Sequence, residues 1–149
     1  MWKKPHNWLI AAAGLLVIVL LGMEVCHAEN PETGVHYAVK FTDRLIYILF
    51  IVMSFIISDV TLLSAKKPFY QVFLAITNAI VLLGFQAWIF VDFFTTKLPS
   101  GLKMSTVYSL SFGAVFPALA IVLLSLAVKF AADEGTAQRI AAAFAKRNN

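Results

Sequence analysis

The chain has 149 residues, of which 60% are apolar and only 13% charged, with 13 phenylalanines. A soluble domain of this size has too much surface to cover with so few charges, so the composition excludes an ordinary water-soluble enzyme and calls for a bilayer as solvent. The net charge of +4 comes from Lys and Arg set beside apolar runs, a topology signal rather than a nucleic-acid patch.

A hydrocarbon core about 30 Å thick needs about 20 apolar residues in a helix, and each spanning segment must be helical because lipid offers no partner to a free backbone group. The first such segment runs from Trp8 to about Val25. Lys3 and Lys4 before it, and the small residues Cys26 and Ala28 after it, imitate a signal peptide, but the apolar stretch is longer than usual for one and is expected to remain as an anchor. The loop that follows, with the turn signal "ENPETG", is the largest external piece and is too small to be a domain. The single cysteine, Cys26, excludes an internal disulfide and a CxxC pair. Cys26, His27, His36 and the nearby acids match no zinc spacing, so no metal is expected. His6, His27 and His36 all fall outside the expected spans, which argues against a haem held between helices, and no cofactor is expected.

The second span runs from Leu45 to Ala65 and the third from Phe69 to Phe94, joined by "KKP". So short a turn makes the two helices antiparallel neighbours, and Pro68 pushes the residue before it out of helical geometry. Asp59 lies roughly 9 Å and Asn78 roughly 13 Å from the same membrane face at about 1.5 Å rise per residue. At similar depth on neighbouring helices they are expected to form an interhelical polar clamp, with Gln71 and Gln86 as further polar contacts. An ionised carboxylate there costs about 2–3 kcal/mol by insertion scales, which leaves a proton or ion relay as the sharper alternative. Glu24 and Asp92 are acids at the membrane edge, free to snorkel or to pair with Lys40, Lys97 or Lys103.

After the turn signal "KLPSG", the fourth span is expected over Ser105 to about Val128. Ser105, Ser109, Gly113 and Pro117 recur every four residues, a small-residue stripe for close helix packing within the bundle or against a partner. Pro117 is expected to kink this helix. The tail, residues 129–149, reads as a short interfacial helix with Ile140, Ala141 and Phe144 on one face, weakened by Gly135. Trp2, Trp8, Tyr37, Tyr47, Tyr70, Trp88 and Tyr108 fall mostly near span ends, as an aromatic belt requires.

The fold class is therefore all-α: a single membrane domain of four transmembrane helices in an antiparallel bundle. Eight Lys or Arg (Lys3, Lys4, Lys66, Lys67, Lys129, Arg139, Lys146, Arg147) lie on one side and four (Lys40, Arg44, Lys97, Lys103) on the other. The positive-inside rule then puts both termini in the cytoplasm.

"KKPFYQVFLAITNAIVLLGF" resembles a motif in an uncharacterised family of small four-helix bacterial inner-membrane proteins, a domain of unknown function. Gln71, Asn78 and Leu82-Leu83-Gly84 match its third helix; Phe116-Pro117, Asp133-Glu134 and the basic Arg139, Lys146 and Arg147 match its fourth helix and end. The tail "GTAQRIAAAFA" is less charged than the family's. The resemblance implies the four-helix fold, a bacterial inner-membrane location and a scaffold role for Asn78, and brings no activity.

No carboxylate pair, nucleophile–base set or metal cluster is visible in the sequence. The expected function is therefore non-enzymatic: an accessory subunit of a larger inner-membrane complex, with the bilayer and other membrane subunits as partners and no nucleic acid. The alternatives are a small transporter using Asp59, Asn78 and Gln86, or a lipid- or quinone-contacting subunit that binds its ligand between aromatic-rich spans carrying Phe85, Trp88, Phe90, Phe93 and Phe94.

Overall fold

The structure is a computed structural model that describes residues 4–29, 32–98 and 101–148. Trp2 and Lys3 lie outside the described residues, as do Asn30 and Pro31 of "ENPETG" and Pro99 and Ser100 of "KLPSG". Among the described residues, four helices are long and apolar enough to cross a membrane.

The first, α1, spans Pro5–Ile18 and tightens into a 3-10 turn over Val19–Gly22. Pro5 is tolerated because the first turn of a helix has no use for its missing N–H. The chain then leaves helical geometry earlier than expected. Residues Glu24–Glu29 form strand β1, which pairs antiparallel with β2, His36–Lys40. A bulge between Glu24 and Cys26 interrupts their register. α2 spans Leu45–Leu63 and α3 spans Pro68–Thr95, close to the expected bounds.

The fourth span departs from its reading. Met104–Val107 is a single helical turn, α4; Ser109–Leu110 is a short strand, β3, which joins β1 to give a three-stranded sheet of order β2-β1-β3. A 3-10 turn over Phe112–Val115 leads into α5, Phe116–Asn148. Ser105, Ser109, Gly113 and Pro117 therefore fall on four different local structures and form no stripe on one helix. Pro117 is the second residue of α5, where a proline starts a helix rather than kinking it. The tail is no separate helix either: α5 continues unbroken for 33 residues, about 50 Å at 1.5 Å rise.

α1 packs on α2 and α5, and α3 packs on α2 and α5, which closes a four-helix ring. Ile10, Ala13, Val17, Leu20, Ile51, Ala75, Leu82, Phe85, Ile89, Ala120, Leu124 and Ala127 fill its axis. At the sheet end, Phe41, Tyr47 and Phe85 meet at ring-centroid distances of 5.6–5.9 Å, and Phe50 stacks on Phe85 at 5.1 Å. Tyr47 is thus a core residue, not part of an aromatic belt. The outward faces carry large apolar side chains such as Leu15, Met53, Phe73, Ile80, Leu83, Val91 and Val122, all more than two-fifths exposed. A girdle of that extent fits a hydrocarbon environment.

Gly113 is required where it stands. A Cβ there would come within 2.9 Å of the Glu24 carbonyl oxygen and 3.0 Å of the Phe41 ring. Its bare backbone lets the entry to α5 pass under the sheet.

Candidate functional site

Three polar contacts tie the helices together inside the bundle, each using an amide side chain of α3. Nearest the termini, buried Gln71 donates from Nε2 to Asn7 Oδ1 (2.8 Å) on α1 and to the carbonyl of Thr61 (3.2 Å) on α2. At mid-depth Asn78 accepts from Ser54 Oγ at 2.6 Å and donates to Ser58 Oγ at 2.8 Å. Toward the sheet, Gln86 donates to the Ala114 carbonyl at 2.6 Å, and its Oε1 accepts from the Ala118 N–H at 3.0 Å. Those two backbone groups are four residues apart and would bond each other in a continuous α-helix. Helix α5 starts at Phe116, so its first N–H groups lack intrahelical partners. The Gln86 amide bridges the gap from the neighbouring helix.

Asp59 does not take part. Asn78 meets the serine hydroxyls of α2 instead, and Asp59 is exposed on the outward face of that helix. Ser58 and Asp59 are consecutive, so they project about 100° apart around the helix axis, and only one of them can face Asn78. Asp59 sits in a row of outward residues: Leu45 (70% exposed), Leu49, Val52, Ile56, Asp59 and Leu63 (82%). Their spacing of four, three, four, three and four is the heptad rhythm by which helices dock along a seam. No other described residue pairs with Asp59.

At the sheet end, Asp92 is an acid at the edge of the spans as expected, but its cation is Arg44 rather than a lysine. Arg44 Nη1 lies 2.7 Å from Asp92 Oδ1, Tyr47 OH donates to Oδ2 at 2.5 Å, and Thr96 Oγ1 donates to Oδ1 at 2.9 Å. Cys26 is buried beside them, its Sγ 3.8 Å from Met104 Sδ. Burial pushes its thiol up to about 11.

Glu24, the other edge acid, likewise avoids the lysines. Its carboxylate lies 3.1 and 3.3 Å from His36 Nε2, while Glu29 Oε1 is 3.6 Å from His36 Nδ1. His27 stacks on His36 with ring centroids 5.7 Å apart, and its Nδ1 is 2.7 Å from Ser111 Oγ. The four side chains line one cavity of about 770 Å³, whose apolar side chains are Met23, Leu110, Phe112 and Val115, with Gly22, Ser111 and Gly113 between them. It opens where α1 has ended and α5 has not begun. No group of three His, Cys, Asp or Glu side chains among the described residues has the geometry of a metal site.

At the opposite end a second knot closes α5 onto α1. Lys4 forms an ion pair with Glu134 Oε1, and His6 Nε2 lies 3.3 Å from Glu134 Oε2 without hydrogen-bond alignment. His6 is thus buried in the first turn of α1, inside a spanning helix rather than outside it. Beyond this knot α5 emerges: residues 136–147 are exposed on every side, including Ile140 and Phe144.

Sequence reasoning missed Arg44, Tyr47, Ser54, Ser58 and Asn7 as partners. The serines carried a signal, since hydroxyls four residues apart in an apolar helix share one face. Arg44 and Asp92 carried none, being 48 residues apart. Comparison with protein-family models, with characterised proteins and with solved structures finds no match for this chain.

Proposed function

We propose that this chain is a non-enzymatic accessory subunit, docked through the outward face of α2 onto another helical membrane protein of a bacterial inner-membrane complex, with both termini in the cytoplasm. The carrying observation is Asp59, a carboxylate within a heptad-spaced apolar seam, one turn before its end, with no partner among the described residues. A lone polar residue in such a seam fixes register and partner at a cost in stability, and a carboxylate facing lipid is disfavoured until another group meets it. The partner it fits is a transmembrane helix that brings a Lys, Arg or His to that depth. The projecting end of α5 supports the same reading, because it presents Ile140, Phe144, Lys146 and Arg147 on the membrane side where Asp59 lies.

The alternative of a transporter path through Asp59, Asn78 and Gln86 has less support, since Asp59 faces away from the other two. The test is isolation of the full-length protein from native membranes in mild detergent. The parent should co-purify with a larger membrane protein, and Asp59→Leu should lose it while remaining a folded bundle. A partner-free parent, or an Asp59→Leu variant that keeps the same partner in the same amount, overturns the reading.

A further inference from the structure

We propose that the cavity between the sheet and the entry to α5 binds an amphiphile with a primary ammonium headgroup, of phosphoethanolamine chemistry. The cavity's two-sided lining carries this assignment independently of any accessory-subunit role.

One side is anionic. Glu24 and Glu29 both reach it, and among the described residues the one basic side chain they contact is His36, through its two ring nitrogens. The bulge between Glu24 and Cys26 brings this about. Side chains alternate across a strand, so an unbroken β1 would send Glu24 to the face opposite His27 and Glu29. Glu29 is held loosely, at 3.6 Å, which is longer than a hydrogen bond. The carboxylates thus have acceptor capacity that a single imidazole leaves unused. A primary ammonium offers three donors, enough to engage both acids at once.

The other side is apolar. Phe112 is 84% exposed and Val115 41%, and both belong to the apolar stretch that becomes the fourth span. Phe112 is the most exposed of the large apolar side chains among the described residues. A soluble amine would leave this wall bare, whereas an acyl chain below the headgroup would cover it. Between the two sides lies His27. When Ser111 donates to Nδ1, the ring proton sits on Nε2, where it can serve a phosphate oxygen. Ammonium, phosphate and chain in that order match carboxylates, imidazole and Phe112.

His36 occupies the carboxylates in the present structure, so the ligand would compete with it. That competition gives the proposal a signature that a merely structural cluster lacks. Detergent-purified full-length chain is offered a phosphatidylethanolamine, a phosphatidylglycerol of the same chains, or soluble phosphoethanolamine, and bound mass is read by native mass spectrometry. One phosphatidylethanolamine per chain should be retained, about tenfold or more over phosphatidylglycerol, since two charge-assisted bonds distinguish them. The Glu24→Gln/Glu29→Gln double variant should lose that preference, and His36→Gln should strengthen it by freeing both acids. Phe112→Ser should weaken the lipid and leave phosphoethanolamine binding unchanged. Displacement of the lipid by phosphoethanolamine assigns the affinity to the headgroup, and failure to displace it assigns part to the chains; both agree with the site. Equal retention of the two lipids, an undiminished preference in the double variant, or loss of binding in His36→Gln overturns it.

Discussion

The bridge made by Gln86 is the most exposed to test of the contacts inside the bundle. Gln86→Met keeps the length and nearly the volume of the side chain but removes both its donor and its acceptor. The Ala114 carbonyl and the Ala118 N–H then lose their partner in a setting where Gln86 itself is only 7% exposed. Leaving a buried backbone group unsatisfied costs about 1–3 kcal/mol. The two together, less the desolvation no longer spent on the amide, give an expected loss of about 2–4 kcal/mol. For a chain of this size that lowers the midpoint of thermal unfolding by roughly 5–15 °C. The assay is a melt in detergent followed by circular dichroism, with backbone hydrogen exchange at Ala118 read alongside. Gln86→Glu should be no better than Gln86→Met while its carboxyl is ionised, which sets an oxygen against the Ala114 carbonyl, and should recover at low pH, where the protonated acid can donate to that carbonyl and still accept from Ala118. Thr77→Val serves as a control, since the Thr77 hydroxyl lies away from the core and bonds the Phe73 carbonyl of its own helix rather than another helix. If Gln86→Met melts with the parent and exchange at Ala118 is unchanged, the start of α5 is secured by something other than this amide.

Three further outcomes follow from the same geometry. Asn78→Leu removes both hydroxyl contacts to α2 and should cost about 1–2 kcal/mol in a detergent unfolding titration, in line with measured interhelical hydrogen bonds; Asp59→Asn should leave that titration unchanged. Gly113→Ala drives a methyl against the Glu24 carbonyl and the Phe41 ring and should destabilise by about 1–3 kcal/mol, seen as a lower melting midpoint. Cys26 is 1% exposed and its thiol is raised to about 11. The reactive thiolate is therefore scarce below that pH. Maleimide labelling at pH 8 should be slow in the folded protein and become complete on denaturation.

The parts of the fold legible in the sequence are those where a long apolar run ends abruptly. "KKP" bounds the second and third spans on one side, and their limits fall within two residues of the helices. The start of the fourth span was not legible, because "STVYSLSFGAVF" is apolar and small enough for a helix and β-branched enough for a strand. Pro117 fits a kink or a first turn equally well. What decides is tertiary: β1 takes Ser109–Leu110 as a third strand, and Gln86 holds the first free N–H of α5. The hairpin did leave a trace, since "EVCHAE" and "HYAVK" mix polar and apolar residues at short period, but each run is brief and β1 carries a bulge that breaks the alternation. Among the candidate residues, type and depth were readable and direction was not. Asn78, Gln71 and Gln86 do join helices. Asp59 was paired with Asn78 on depth alone, and helix phase sends it the other way.

That difference in direction separates two kinds of polar residue in one apolar chain. Each amide of α3 bonds groups on another helix: Gln71 on α1 and α2, Asn78 on α2, Gln86 at the entry to α5. These contacts account for themselves, because a bundle in lipid has little hydrophobic force between its helices and must be held by packing and hydrogen bonds. Asp59 bonds nothing in the described chain, and the bundle closes without it. The proposed docking accounts for this one residue that the described fold does not use: a partner helix laid along the row from Leu45 to Leu63 would meet the carboxylate one turn before the row ends.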